Sequence, residues 1–414
     1  MHGVSGVKKY FRISMALLFG TIVAVVLVEL AGRLYFLVSV GTCARDRLLL
    51  AERGNTYIVQ RLAQAKSIID CDCPHPYLIS TERRNDARSG SNNVGMFGPD
   101  FPLSKDDKTF TILVSGGSVA TQFAQERPAG IRYFQDILNE RYDFQGRPAV
   151  VLNGARGGWK HPQQFIMLLL FGDVIDGFIT IEGFNELVCA CGEGFNKDLT
   201  YPAEDFAFLH ADAGYGYEHI LAAYMVERSY LLALHHPVFK HSAFIYLVSK
   251  AFRTRLSNWD QKHREGIPKP CYDDFFRLPA DWSKARKKAH FLSRYKHFMR
   301  AMHASAESMG VRSVSFLQPV PPIQKNLTRM ERAVMGDDGY RDDYQLMVDE
   351  LLKLRQEGVP VVSMLDLFKD CREQVYADYV HCLEAEPDGR SLGYSLMAEH
   401  IADVLELEWN LQRK

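Results

Sequence analysis

The sequence predicts an α/β fold: a parallel sheet covered by helices on both faces, with a helical insertion and a transmembrane helix at the N-terminus. Three observations lead to this prediction. From residue 109 onwards, short apolar runs rich in β-branched residues alternate with helical patterns, as in parallel βαβ units. An aromatic-rich, helical segment at about 189–282 interrupts that alternation, and a long apolar stretch follows a short basic N-terminal tail.

Residues 13–40 are predicted to be an uncleaved signal anchor. Only Glu29 and Arg33 are charged within this stretch, and a membrane-spanning helix needs roughly 20 apolar residues. A cleavable signal peptide has a shorter apolar core and a small-x-small cleavage site, which residues 42–44 match poorly. We therefore expect a single-pass membrane protein.

The basic residues of the N-terminal tail predict the orientation of this anchor. Lys8, Lys9 and Arg12 favour a cytoplasmic tail over residues 1–12, because positive charge is retained on the cytoplasmic side. The body of the chain is then periplasmic or otherwise extracytoplasmic. Several arginines beyond the apolar stretch reduce the charge asymmetry: Arg33, Arg45, Arg47 and Arg53.

Residues 41–107 form a polar, basic connector with little strand character, and the predicted sheet belongs to a domain at 108–414. The insertion, about 189–282, has two interpretations: a cap or lid, or a second packing layer with no role in substrate choice. The expected strands are 109–115, 149–152, 174–181, 311–317 and 359–365, and the expected helices are 130–142, 161–170, 284–309, 344–355 and 392–411.

The charge of the chain argues against a nucleic-acid partner, whereas the number of cysteines does not decide what state they are in. The net charge of −1 gives no electrostatic footprint for nucleic acid. The chain has eight cysteines, and an even number in an exported domain favours disulfides over free thiols. Cys71 and Cys73 also admit a metal site, but their C-x-C spacing has no matching second half, and we expect no metal.

Two glycine-rich blocks follow predicted strands. In the first, the strand runs into Gly116, Gly117 and Ser118, which places a serine at the start of the next helix. Without a following Gly-Lys-[Ser/Thr], a phosphate-binding P-loop is disfavoured, and an ordinary helix cap is the alternative. In the second, Asn153 is followed by Gly158, in a turn that either aims a backbone N–H at an oxyanion or is a plain strand-to-helix connection.

Two further blocks supply an amide and a possible base. Gly183-Phe184-Asn185 ends the third strand, and the Asn185 amide either binds an oxyanion or forms a turn. Asp378 and His381 are three residues apart, so that on a helical turn the carboxylate could orient the imidazole. Such a pair is common by chance, and the hypothesis depends on all four blocks occurring together.

In this order, the four blocks resemble those of the SGNH (GDSL-type) hydrolase superfamily, over roughly residues 94–408. The resemblance implies a three-layer α/β/α flavodoxin-like fold and a site that needs no cofactor. Ser118 would be the nucleophile, His381 the base and Asp378 its orienting carboxylate. The backbone N–H groups of Ser118 and Gly158 and the side chain of Asn185 would form the oxyanion hole.

Two residues depart from the superfamily pattern: Gly117 stands where the GDS motif has Asp, and Glu186 where the GxND motif has Asp. Neither is a primary catalytic group, so the departures indicate a divergent member. Other side chains close to these blocks in sequence either contact substrate or are structural: Gln122, Trp159, His161 and Gln164.

These observations leave three functions open. The first is a membrane-anchored serine esterase that hydrolyses acyl esters, such as acetyl esters, on envelope carbohydrate or lipid. The second is an O-acyltransferase that uses the same residues on an exported polysaccharide. The third is a catalytically silent envelope scaffold, which the two departures and the large insertion would suit.

Overall fold

A computed structural model describes residues 3–40, 73–82, 84–85, 90–127, 130–192, 194–201, 236, 239–264, 273–336, 338–384 and 390–414. Most of the predicted connector and much of the insertion lie outside these residues, as do Cys43, Cys71, Cys271 and Gly389. The chain divides into two compact units. The first comprises residues 1–59 and 222–265, and the second comprises residues 60–221 and 266–414.

The first unit contains two long helices. Helix α1 spans Gly3–Val40, and α6 spans Ala243–Arg264 after a short 3-10 turn at Phe239–His241. Within α1, Met15–Val38 has a mean hydropathy of 2.3 and mostly exposed side chains. Among the described residues it is the one helix that is long and apolar enough to cross a membrane.

The second unit contains a five-stranded parallel sheet, in which the strands stand in the order Ala149–Ala155, Phe110–Gly116, Gly177–Glu182, Arg312–Leu317 and Val361–Ser363. All five predicted strands are present, with ends shifted by a few residues. The strands are β3 Phe110–Gly116, β5 Ala149–Ala155, β6 Gly177–Glu182, β7 Arg312–Leu317 and β8 Val361–Ser363. Two small antiparallel pairs lie outside this sheet: β1 Cys73–His75 with β2 Ile79–Thr81, and β4 Tyr142–Asp143 with β9 Gln412–Arg413.

Helices cover both faces of the sheet because residues of β3 alternate between two cores. Ile112 and Val114 pack with the helices at 118–124, 133–141 and 392–408, whereas Leu113 packs with the helix at 163–171 and the end of the helix at 284–308. The predicted α/β fold with a parallel sheet is therefore confirmed. The helices of this unit are α2 Ser118–Ala124, α3 Tyr133–Arg141, α4 Gln163–Phe171, α5 Phe184–Gly192, α7 Asp273–Phe276, α8 Lys284–Ser308, α9 Arg329–Val334, α10 Arg341–Leu352 and α11 Leu392–Glu408.

The strand pair β1–β2 lies in the predicted connector. Residues 41–107 were expected to have little strand character, and β1 and β2, with three residues each, form a hairpin at 73–81. Its turn is held by the side chain of His75, whose Nδ1 accepts from the backbone N–H groups of Tyr77 and Leu78. Beyond the hairpin, the guanidinium of Arg156 pairs with buried Glu82 at 2.8 Å. The hydrogen bonds of the turn are local, whereas the Arg156–Glu82 pair joins residues 74 positions apart. Neither kind of contact produces an apolar periodicity, so the pattern of the sequence did not indicate them.

Three cysteines of the described residues differ from the disulfide expectation. Cys191, Cys371 and Cys382 are free thiols. Burial raises the pKa of the Cys191 thiol to about 12, with the carboxylate of Asp343 adding to the effect. Cys191 and Cys382 are therefore held protonated, since burial also raises the pKa of the Cys382 thiol far above its ordinary value. They contribute as small packing groups.

Candidate active site

Three of the four sequence blocks meet at one edge of the sheet. Strand β3 lies between β5 and β6, and its last residue, Gly116, pairs with Ala155 on one side and with Ile181 on the other. The carboxyl ends of all three strands therefore face the same way, and the turns that follow them are neighbours. This register brings the turn at Ser118 between the turns that carry Gly158 and Asn185.

The turn at Ser118 depends on Gly116. Its φ of +145° lies in a region that favours glycine, and a Cβ atom there would lie 2.2 Å from the carbonyl oxygen of Ile181. The chain then passes through Gly117, which caps the helix in an extended conformation, and α2 begins at Ser118. Ser118 is thus the first residue of the helix, rather than its N-cap, and it is half-buried.

Ser118, His381 and Asp378 form a continuous hydrogen-bonded chain. The Oγ of Ser118 lies 2.7 Å from Nε2 of His381. On the other side of the imidazole ring, Nδ1 lies 2.8 Å from Oδ2 of Asp378. The side chains of His381 and Asp378 are 14% and 26% exposed, so the group is accessible to a reactant without being fully solvated. The two ring nitrogens thus face a hydroxyl and a carboxylate, an arrangement that lets the ring take a proton from Ser118.

Asp378 is held by more than the imidazole. Its Oδ1 accepts from the backbone N–H groups of Val380 at 2.8 Å and of His381 at 2.7 Å. Burial alone would raise the pKa of Asp378, but the charge of His381 and these hydrogen bonds outweigh it and lower that pKa below its usual value. The carboxylate therefore stays ionised and in a fixed orientation.

The Asp378–His381 segment is a loop, whereas the sequence spacing had indicated a helical turn. Its base is closed by an antiparallel bridge between Tyr376 and Cys382. Within the loop, the backbone N–H of Ala377 donates to the carbonyl of His381 at 2.9 Å. Both side chains still lie on one side, because Oδ1 of Asp378 folds back on the two N–H groups that follow it.

A buried glutamate that sequence reasoning missed holds the start of this loop. Oε1 of Glu331 accepts from the backbone N–H groups of Val375 and Tyr376 at 2.8 and 3.1 Å. Oε2 accepts from the backbone N–H of Thr328 and lies 3.3 Å from Nζ of Lys325. Thr328 and Glu331 form a capping box at the start of α9. The T-x-x-E spacing is visible in the sequence and would have indicated the cap, though not the contact with the loop.

Gly158 and Asn185 flank the serine turn. Gly158 has a φ of +77°. A Cβ atom on the residue before it, Gly157, would lie 3.8 Å from the Cβ of Ser118. The amide Nδ2 of Asn185 donates to the carbonyl of Trp159 at 2.8 Å. An amide group has two N–H donors, so one remains for another acceptor. This arrangement ties the second and third blocks to each other beside Ser118.

Glu186, where the GxND motif has Asp, is fully buried and joins the same two blocks. Its Oε2 accepts from the backbone N–H of Gly183 at 2.8 Å, and its Oε1 accepts from the backbone N–H of His161 and from Nε2 of Gln164. Burial, and then the nearby charge of Glu182, raise the pKa of Glu186. The longer side chain spans the gap between the blocks, which gives this departure a structural reason.

Glu182 and His161 complete a buried polar cluster behind the site. Nε2 of His161 lies 2.7 Å from Oε2 of Glu182, and Tyr295 donates its hydroxyl to the same oxygen. Although burial would raise the pKa of Glu182, the charge and hydrogen bond of His161 lower it to about 2. Oε1 of Glu182 accepts from the hydroxyl of Thr180.

This cluster has the residue types of a metal site, since ligand atoms of His161, Glu182 and Glu186 lie within 4.8 Å of one another. However, each of the four carboxylate oxygens already accepts a hydrogen bond from the protein. The donors present therefore fit a hydrogen-bonded network better than metal coordination.

Of the four side chains close to the blocks in sequence, three are buried and have a structural role. His161 and Gln164 belong to the buried cluster, and Trp159 is fully buried. Gln122 accepts a hydrogen bond from the hydroxyl of Tyr394. Asn153, from the second block, likewise supports the fold, because its Nδ2 donates to the carbonyl of Thr121 at 3.0 Å.

No family model and no curated protein matches the chain. Among solved structures, the acetyl xylan esterase AlAXEase aligns over 71% of this chain and 99% of its own, with 10% identity and a TM-score of 0.36. A “putative acylhydrolase” from Bacteroides fragilis NCTC 9343 aligns over 74% and 91%, with 10% identity and a TM-score of 0.34. At scores this low, neither similarity establishes a relationship.

Proposed function

We propose that this protein is a serine esterase of the SGNH type that hydrolyses acyl esters. The observation that carries the proposal is the chain of two short hydrogen bonds from Ser118 through His381 to Asp378. A serine hydroxyl is a weak nucleophile unless a base removes its proton as it attacks. The same chain of contacts favours an active enzyme over a silent scaffold.

The reaction divides into two steps. Ser118 Oγ attacks the ester carbonyl carbon while His381 takes the hydroxyl proton, and the alkoxide leaving group departs with that proton as an alcohol. Water then attacks the acyl-serine, again giving its proton to His381, and releases the carboxylic acid as Ser118 regains its hydroxyl hydrogen. Asp378 keeps the imidazole oriented and stabilises its cationic form in both steps.

The negative charge that develops on the carbonyl oxygen needs fixed donors. The backbone N–H groups of Ser118 and Gly158 and the Nδ2 of Asn185 are proposed for this role. Ser118 is the first residue of α2, so its N–H has no partner within the helix. Asn185 is held by its bond to Trp159 and retains a second amide hydrogen.

We also propose that α1 anchors the chain as a single-pass protein with the esterase domain on the extracytoplasmic side. The apolar length of Met15–Val38 supports the anchor, and Lys8, Lys9 and Arg12 support the orientation. An anchored esterase of this kind would act on acylated carbohydrate or lipid of the envelope. Protease digestion of sealed cells or inverted vesicles tests the orientation, because only exposed domains are cleaved.

The decisive experiment uses the full chain in detergent micelles. The wild type is expected to hydrolyse p-nitrophenyl acetate and to form a covalent adduct at Ser118 with a fluorophosphonate, located by peptide mass spectrometry. Ser118→Ala should lose both activities. Ser308→Ala is the matched control, since its exposed hydroxyl only donates to a carbonyl within its own helix. Unchanged hydrolysis in Ser118→Ala, or a folded wild type with neither activity, would contradict the proposal.

A further inference from the structure

The insertion contacts the apolar N-terminal helix through one acidic residue. The carboxylate of Glu29 accepts from the hydroxyl of Ser242 at 2.8 Å and from the backbone N–H groups of Ala243 and Phe244 at 3.0 and 3.2 Å. These two N–H groups belong to the first turn of α6 and have no acceptor within that helix. The carboxylate of Glu29 therefore accepts hydrogen bonds from backbone N–H groups of α6 that have no acceptor within that helix.

Arg33 completes this contact, which we call the Glu29 clamp. Its Nε donates to Glu29 at 2.8 Å, and its Nη2 donates to the carbonyl of His241 at 2.9 Å. The Glu29–Arg33 ion pair thus forms hydrogen bonds with the backbone N–H and C=O groups at the start of α6.

The Glu29 clamp lies within the apolar stretch of α1. Glu29 lies inside Met15–Val38, nine residues before the end of that apolar stretch, which corresponds to about 14 Å of helix. A charged side chain or an unpaired backbone N–H at such a depth in a bilayer is costly unless it has a partner. A helix that starts in water has no such requirement, because water satisfies its first turn.

The two helices then run side by side in the same direction. A Cβ atom at Gly32 would lie 3.2 Å from the Cβ of Ala243, so the backbones approach closely at the start of α6. Further along both helices, the rings of Phe36 and Tyr246 are in edge contact with centroids 5.7 Å apart. These residues form one continuous interface.

The charge pattern of α6 changes at the level at which the apolar stretch of α1 ends. On a rise of about 1.5 Å per residue, Val38 lies about 9 Å beyond Gly32, and Lys250 lies about 10 Å beyond Ala243. Lys250 is the first charged residue of α6. After it, the helix is predominantly basic, with Arg253, Arg255, Lys262 and Arg264 against Asp260 alone.

The face of α6 that points away from α1 is apolar and exposed. Phe244, Val248 and Phe252 follow one another at intervals of four residues, which places them on one side of the helix, and they are 41%, 49% and 59% exposed. The apolar side chains of α1 are exposed as well. Because α1 and α6 approach closely at Gly32 and Ala243, whatever surrounds α1 also lies within reach of this face of α6.

We propose that Ala243–Ser249 is a second membrane-embedded element, which enters the acyl-chain layer beside Gly32–Val38, with Lys250, Phe252 and the basic end of α6 at the lipid headgroups. The partner of its exposed stripe is the bilayer itself. The inference rests on the proposed anchoring of α1. It also gives the insertion a role that differs from a freely moving lid, because the Glu29 clamp attaches this part of the insertion to the anchor.

The test uses the full chain reconstituted in vesicles of phosphatidylcholine and phosphatidylglycerol that contain a lipid with a diazirine in its acyl chain. After illumination, peptide mass spectrometry locates the labelled residues. We expect labels in Met15–Val38 and also in Ala243–Ser249. Labels in α1 alone would overturn the inference and leave the anchor standing. Labels in neither helix would overturn the anchor and the inference together, without bearing on the esterase site.

Substitution of the clamp provides a second readout. Glu29→Ala should reduce labelling of the α6 peptide severalfold while α1 remains labelled, because the start of α6 loses its acceptor. Thr21→Ala is the matched control, since the Thr21 hydroxyl only donates to the carbonyl of Leu17 in its own helix. If Glu29→Ala and Thr21→Ala label α6 as strongly as the wild type does, the clamp does not hold α6 in the membrane.

Discussion

Gly117 and Asn185 are in such close contact that no side chain fits between them: a Cβ atom at Gly117 would lie 2.2 Å from Nδ2 of Asn185. The same Cβ would lie 3.3 Å from the carbonyl oxygen of Trp159, the acceptor of the Asn185 amide. Glycine at this position, where the GDS motif has Asp, therefore follows from the placement of the Asn185 side chain. The departure is compatible with the proposed role of Asn185 as an oxyanion donor.

The first prediction concerns Gly117→Ala. The added methyl group must displace the Asn185 side chain, so we expect kcat for p-nitrophenyl acetate to fall by about 10²-fold, the scale of losing one oxyanion donor. Asn185→Ala should cause a similar loss, and the double variant should add little to it. Gly157→Ala is the control, since its methyl group would lie at an ordinary 3.8 Å from Ser118. Equal activity of the two glycine variants would contradict the role of Asn185.

The second prediction concerns Asp378→Asn. The remaining amide oxygen can still accept from the backbone N–H groups of Val380 and His381, so the loop should keep its shape. The new NH₂ would face Nδ1 of His381 and favour the wrong tautomer, and we expect kcat to fall by about 10³–10⁴-fold. Steady-state kinetics with a circular dichroism check would measure this. Asp349→Asn, on an exposed helix face, should change neither quantity; a loss of less than tenfold in Asp378→Asn would exclude an orienting role.

The third prediction concerns the support of the loop by Glu331. Glu331→Gln replaces one acceptor with a donor and leaves Lys325, whose side chain is 1% exposed, without its counterion. Breaking a buried ion pair in this way is expected to cost about 3–5 kcal/mol of unfolding free energy. Thermal unfolding should show a clear fall in melting temperature. Glu357→Gln breaks an exposed pair with Arg300 and should leave the melting temperature nearly unchanged. Equal melting temperatures for the two variants would contradict this account.

The sequence predicted the sheet and indicated the blocks of the candidate site because both depend on local patterns. Each strand has an apolar run, and each block follows a strand or lies in a short loop. The resemblance implied that Ser118, Gly158 and Asn185 lie together, and the observed order of the strands brings the turns that carry them side by side.

Long-range pairings carried no such local pattern. The contact of Glu331 with Val375 joins residues 44 positions apart, and that of Glu29 with Ala243 joins residues 214 apart. The loop at Asp378 shows a further limit. A D-x-x-H spacing suits a helical turn and a loop equally well, and only the bridge between Tyr376 and Cys382 decides between them.

The fourth prediction concerns the pH dependence of stability. The ring of His303 lies between the hydroxyls of Ser313 and Ser315, with Nδ1 and Nε2 at 2.7 and 3.0 Å from them. Burial lowers the pKa of His303 from 6.5 to about 4, against the opposing charge of Glu182. Below pH 6.5 the unfolded chain therefore binds a proton that the folded chain refuses, and stability falls until the folded ring also titrates near pH 4. The shift corresponds to about 3 kcal/mol over this range.

His303→Gln should remove that part of the pH dependence, since glutamine does not titrate. Urea unfolding of the wild type and the variant, at a series of pH values from neutral to pH 4, measures the difference in unfolding free energy between them. We expect the difference to be largest at neutral pH and to shrink by about 3 kcal/mol as the pH falls. His297→Gln, on the exposed face of the same helix, is the control and should run parallel to the wild type. A difference that stays constant across the range would show that the pKa of His303 does not change on folding.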